Sequence, residues 1–248
     1  MFTVEERDRL REALIARARD DGRIAGAAVT GSGALGPTDA WSDIDLALGL
    51  SADADRDRTM ADWTALMYRE HGAVDHTDLT SGRTVFRVFL LASTLQVDLA
   101  FAAAAEFGAV APTFRLLFGT AVERPAQPEP DPGGLVGMAW LYALHARSSI
   151  ARGRVWQAEH MVSGLRDHVL ALACRRHGLP ATQGRGVDRL PPEVTAPVAG
   201  ALVRTLDPEE LARAFRVATD ALLGEVGLAD ADLAGRLAGP LRELAGAG

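Results

Sequence analysis

An apolar run, Ala27-Ala28-Val29, leads into Thr30-Gly31-Ser32, and only ten residues separate Ser32 from Asp43-Ile44-Asp45, which opens a second apolar run. Gly31-Ser-Gly33-Ala-Leu-Gly36 spells a dinucleotide-binding turn. That turn, however, must open a helix that crosses back to a parallel strand, and such a crossover takes about a dozen residues or more. Pro37 follows the third glycine directly, Thr38-Asp39 continues the turn chemistry, and the next strand begins near Asp43. The helix has no room, so NAD or FAD binding is set aside.

Ser42-Asp-Ile-Asp-Leu-Ala-Leu48 alternates acids with Ile44 and Leu46 and reads as a strand. Residues two apart on a strand share a face, so Asp43 and Asp45 point one way while Ile44 and Leu46 point into a core. Carboxylates held that close repel, unless a divalent cation neutralises them. Hard oxygen ligands suit magnesium, which takes one or two carboxylates plus substrate phosphates. Asp98, within Leu95–Ala100, lies on another strand-like run that could bring a third acid to the same edge. The partner of that run is Thr84–Leu91, joined through Ala92-Ser93-Thr94. Gly31 lets the backbone approach a phosphate, and Ser32 adds a hydroxyl and an N–H.

With its Gly-Ser turn, spacer and Asp-hydrophobic-Asp strand, the chain resembles the nucleotidyltransferase superfamily related to DNA polymerase beta, through Thr30-Gly31-Ser32 and Ser42-Asp43-Ile44-Asp45-Leu46. Within it the chain looks like the antibiotic nucleotidyltransferases acting on aminoglycosides or lincosamides, which carry a C-terminal helical domain. The resemblance implies one or two magnesium ions on Asp43, Asp45 and Asp98, with Asp98 a ligand or the general base. It implies that Gly31, Ser32 and Ser42 contact a nucleoside triphosphate, with ATP the expected donor. The implied reaction transfers a nucleoside monophosphate to an acceptor hydroxyl and releases pyrophosphate. Modification of a protein or RNA, or a nucleotide-binding, antitoxin-like module without turnover, are the alternatives.

The chain of 248 residues is 48% hydrophobic and 24% charged, enough to bury a substantial core in two domains. No apolar stretch reaches membrane-spanning length, and the first residues lack the order of a signal peptide, so a cytoplasmic protein with no membrane partner is expected. The net charge of −7 is uneven: residues 1–132 carry 13 Arg against 21 Asp and Glu, and the remainder 13 against 12. That acidic first part suits metal and a cationic acceptor, and no basic stripe argues for duplex nucleic acid. Cys174, the single cysteine, reads as core, and the histidines show no metal-binding helical pair.

The expected class is α/β (α+β), a small mixed sheet followed by an all-α bundle. The expected boundaries are a catalytic domain over 1–122, a proline-rich linker over 123–133 and a helical bundle over 134–248. Thr3 with Glu6 spells a capping box for a helix to Arg19. Asp57–His71 reads as a helix with Met60, Trp63 and Met67 inward, and Thr84–Ala100 as a hairpin. Beyond the linker, helices are expected over Gly134–Arg152 and Val155–His177, with two or three shorter ones after Ala196. In the second, Ala158, Val162, Leu165, Val169 and Leu172 form a helical core stripe.

Glu159 lies beside that stripe with Arg166 two turns along the same side. In some antibiotic nucleotidyltransferases a helical-domain glutamate deprotonates the acceptor, and Glu159 is similarly placed; an ordinary surface pairing with arginine is the alternative. Arg166 and Arg185 are the candidates to reach the triphosphate, and solvent-facing arginines are again the alternative. Related enzymes sometimes dimerise to complete their clefts, which leaves a homodimer open.

Overall fold

The computed structural model describes residues 1–34, 36, 39–111, 113–125 and 128–246. The chain divides into two compact units, residues 1–127 and 128–248. The first contains helices α1 (Val4–Asp20) and α2 (Arg56–Glu70) and strands β1 (Ile24–Thr30), β2 (Ile44–Leu50), β3 (Ala73–Ser81), β4 (Thr84–Leu91), β5 (Gln96–Ala103) and β6 (Phe114–Phe118). These form one six-stranded sheet in the order β3-β4-β5-β2-β1-β6. The β2–β5 pair is parallel and the other pairs are antiparallel.

β1 and β2 run antiparallel across the Gly31–Ala34 3-10 turn. A dinucleotide-binding unit needs parallel strands around a crossover helix, so this topology disposes of the glycine decoy. Leu35, Pro37 and Thr38 of that connection lie outside the described residues.

The sheet has two dissimilar faces. On one, Leu46, Leu48, Leu99 and Phe101 pack with Leu14 of α1 and with Met60, Trp63 and Met67 of α2. On the other, Ala28, Ala47, Ala100 and Ala102 pack with Phe107. The capping box forms as the spelling requires: Glu6 N–H donates to Thr3 Oγ1 (3.2 Å), and Thr3 N–H donates to Glu6 Oε2 (2.8 Å). β3 had no counterpart in the sequence reading. Its residues alternate weakly and are mostly exposed, as befits an edge strand, so they lack the apolar pattern that marks an inner one.

The second unit contains α3 (Pro132–Ala151), α4 (Val155–Arg176), α5 (Pro192–Ala199), α6 (Pro208–Ala229) and α7 (Ala231–Leu244). The α4 stripe Ala158, Val162, Leu165, Val169 and Leu172 is buried throughout. The helices after Ala196 are not all short, since α6 has 22 residues. Its apolar residues continue unbroken behind the Asp207 cap and Pro208 at its first turn, a start signal of the ordinary kind. α3 likewise starts at Pro132, because Asp131 accepts from Gly134 N–H as its cap. None of the described helices is long and apolar enough to cross a membrane.

Asp21 ties α1, β1 and α2 together. Its buried carboxylate accepts from Arg23 at 2.8 Å through both oxygens and from the Trp63 indole at 3.1 Å. The Arg23 guanidinium, helped by Trp63, holds this carboxyl at about 2, against an ordinary 3.8. A depressed folded-state value stabilises above pH ~4, and that contribution fades as the pH falls through about 2. Asp21→Asn is expected to cost about 2 kcal/mol at neutral pH. Urea unfolding should show the gap to the parent narrowing steadily below pH 4.

Candidate active site

Asp45 on β2 and Asp98 on β5 are direct register partners in the parallel pair. Such partners project from the same face of the sheet, side by side. Asp43 immediately precedes β2 rather than lying within it, yet its carboxylate stays with the others. One carboxylate oxygen from each of Asp43, Asp45 and Asp98 can be chosen so that all lie within 4.8 Å of one another. All three side chains are half-buried.

The glycine bend faces this group. Gly31 has φ of +59°, a left-handed conformation that costs other residues about 1–2 kcal/mol. A Cβ at that position would overlap the Asp45 carboxylate. Gly31 is therefore required twice, by backbone conformation and by space, and Ser32 follows exposed on the 3-10 turn. The Asp45 carboxylate lies against the bend because a side chain is missing there.

Charge is concentrated in the trio. Burial raises the Asp98 carboxyl above its ordinary range, the Asp43 charge adds to this, and the Gln96 hydrogen bond opposes it. Gln96 Nε2 donates to Asp98 Oδ1 at 2.9 Å and to Asp43 Oδ2 at 3.4 Å. A neutral amide thus bridges two acids that would otherwise only repel.

The approach to Asp43 is fixed from beneath. Arg7 of α1 is fully buried and donates from Nη1 to the carbonyls of Asp39 and, at 3.3 Å, of Ser42. The Asp39 carboxylate accepts from Trp41 N–H (2.9 Å) and from the Ser42 hydroxyl (2.8 Å). Hydrogen bonding, led by Ser42, lowers the Asp39 carboxyl below its usual range. The Ser42 hydroxyl is thereby engaged in shaping the loop.

Glu159, Arg166 and Arg185 belong to the second unit. Glu159 Oε1 accepts from Ser163 Oγ (2.7 Å), which in turn accepts from Arg166 Nη1 (3.3 Å). Arg166 also pairs with Asp167 at 2.8 Å. Glu159 and Arg166 are thus joined through one hydroxyl, and Arg185 is exposed in the turn after α4.

Gln96, Arg7 and Asp39 are the contributors that sequence reasoning missed. Gln96 was within reach, since it lies two residues before Asp98 and strand alternation puts both on one face. Arg7 gave no such signal, because an arginine on an amphipathic helix ordinarily faces water.

No protein-family model matches the chain, and no curated protein matches it. Among solved structures, the chain is similar to an aminoglycoside 6-adenyltransferase from Bacillus subtilis at 10% identity and a TM-score of 0.42, over 96% of this chain and 98% of that one. It is also similar to the GLD-2/RNP-8 complex at 11% identity and a TM-score of 0.31, over 88% of this chain and 69% of that one.

The Gly31 geometry gives a direct test. Gly31→Ala should destabilise the protein by about 2 kcal/mol or more, combining left-handed strain with the Asp45 overlap. Gly22→Ala, where a Cβ would meet nothing within 4 Å, should be near neutral. Urea unfolding of the two variants beside the parent checks the difference.

Proposed function

We propose that the chain is a metal-dependent nucleotidyltransferase that moves a nucleoside monophosphate from a nucleoside triphosphate, expected to be ATP, to a hydroxyl of a small-molecule acceptor. The observation that carries this reading is the convergence of Asp43, Asp45 and Asp98 beside a glycine bend with no room for a side chain. Half-buried acids brought together form a donor set that suits a divalent cation, and the missing Cβ lets the Asp45 carboxylate sit against the bend.

In this reading Asp43, Asp45 and Asp98 hold magnesium, which when bound supplies charge neutralisation of the triphosphate and polarisation of the phosphoryl group. The chain's own groups position the rest. The Gly31–Ser32 turn presents backbone amides and a hydroxyl to the phosphates, close to Asp45. Gln96 and the Arg7-supported loop hold the carboxylates in place before substrate arrives, and positioning of this kind supplies most of the catalysis in phosphoryl chemistry. The acceptor oxygen forms a bond to the α-phosphorus, the bond to pyrophosphate breaks, and the hydroxyl proton passes to a carboxylate. Asp98 is our assignment for that acceptor, since it already lies beside Asp45, with Glu159 as the competing base. Arg166 and Arg185 remain our candidates for contacts to the triphosphate. The acidic balance of the first unit favours a cationic acceptor, such as an aminoglycoside- or lincosamide-like compound.

Asp43→Asn and Asp45→Asn should each lower magnesium-dependent pyrophosphate release by about 10²–10³-fold or more, the scale seen when one transition-state contact is removed. Asp43→Asn should also leave the metal-free protein about as stable as the parent, because a like-charge repulsion is relieved. Retained turnover in either folded variant contradicts the assignment. Asp98→Asn and Glu159→Gln, compared at saturating magnesium, separate the two bases: an unchanged rate in Glu159→Gln leaves the role to Asp98. Mass analysis after incubation with each triphosphate and a panel of hydroxylated antibiotics identifies donor and acceptor together.

A further inference from the structure

The sheet face that carries Asp45 and Asp98 continues past them as a floor of small residues. Ala47 and Ala100 are register partners one pleat repeat further along, about 7 Å from the carboxylates. Ala102 follows on β5, and Phe86 of β4 pairs opposite Ala100. Over this floor, closed on its far side by Phe114 and by the chain that follows β5, lies a cavity of about 120 Å³. A single water needs about 10–15 Å³ on this scale, so the space admits a group of roughly ten heavy atoms.

The neighbouring part of the same face is closely filled. Phe107 is buried there, and its ring fits only because Gly26 and Gly49 lack side chains; a Cβ on either would approach it to 2.8 and 2.6 Å. The open part is therefore not a general looseness of the sheet. Thr84 belongs to the cavity wall, and its hydroxyl is buried with no hydrogen-bond partner among the described residues. A cavity and an unmatched hydroxyl both cost stability, so their coincidence next to the carboxylates needs a reason. The charged groups of the wall are already engaged, since Arg124 donates to the Glu106 carbonyl at 2.9 Å and the Glu106 carboxylate pairs with Arg83 at 3.7 Å.

We propose that this cavity is a binding subsite for an uncharged ring of about nucleobase size with one hydrogen-bonding edge, which the Thr84 hydroxyl meets. Small residues leave the space, the aromatic walls suit a flat ring, and the engaged charges select a neutral one. The ring comes either from the donor nucleoside or from the acceptor, and naming these two sources rests on the proposed transfer reaction.

The test uses the full chain without metal, with adenosine and 4-hydroxybenzyl alcohol as probes in ligand-observed NMR titrations. At least one probe should bind the parent, and Ala100→Leu, which fills the floor, should weaken it about tenfold or more. Thr84→Val keeps the shape and removes the hydroxyl; it should raise the melting temperature of the free protein while weakening the bound probe about five- to tenfold. Binding of adenosine assigns the ring to the donor, and binding of the alcohol assigns it to the acceptor. Failure of both probes to bind the parent at millimolar concentration overturns the proposal. So does undiminished binding by an Ala100→Leu variant that melts like the parent, or a Thr84→Val variant with lower stability and unchanged binding. Because neither metal nor turnover enters the measurement, its failure leaves the carboxylate reading standing, and failure of the carboxylate variants leaves this one standing.

Discussion

The parallel pairing of β2 with β5 sets Asp45 directly beside Asp98, and the rest of the first unit is arranged around that pair. Two carboxylates in register repel, so other contacts must hold them there. Apolar residues on the opposite face do so. Leu46 and Leu99, also register partners, are completely or almost completely buried beneath α1 and α2 and fix the register by burial. A slip of one residue would turn the acids into the core, an outcome far costlier than their repulsion.

The elements around the pair act in the same sense. Gly31 brings the bend against Asp45, Gln96 bridges Asp98 and Asp43, and buried Arg7 holds the loop that delivers Asp43. The last is an unusual use of an arginine, since its guanidinium supports backbone carbonyls from inside the unit while also meeting Asp8. Local order is thus established before any ligand arrives, which is what a site based on positioning requires.

Much of this was legible in the sequence because it rests on short-range rules. Period-two alternation placed Asp45 and Asp98 on strands, the ten-residue spacer excluded a crossover helix, and Thr3 with Glu6 marked the start of α1. Period-3.6 spacing found the buried stripe of α4. What escaped depends on tertiary partners. β3 is mostly exposed and carries little pattern, the length of α6 was underestimated, and neither the burial of Arg7 nor the contrast between the two sheet faces follows from local spacing. The alanines at 47, 100 and 102 read as ordinary strand residues until the strands are laid side by side.

The central claim, that the three carboxylates form one divalent-cation site, is tested most directly by titrating the protein with manganese(II) and following the free ion by electron paramagnetic resonance, in the parent and in Asp45→Asn. The account predicts binding by the parent that tightens when a nucleoside triphosphate is added and is lost in the variant. Equal ion binding by both proteins, with the variant correctly folded, would contradict it.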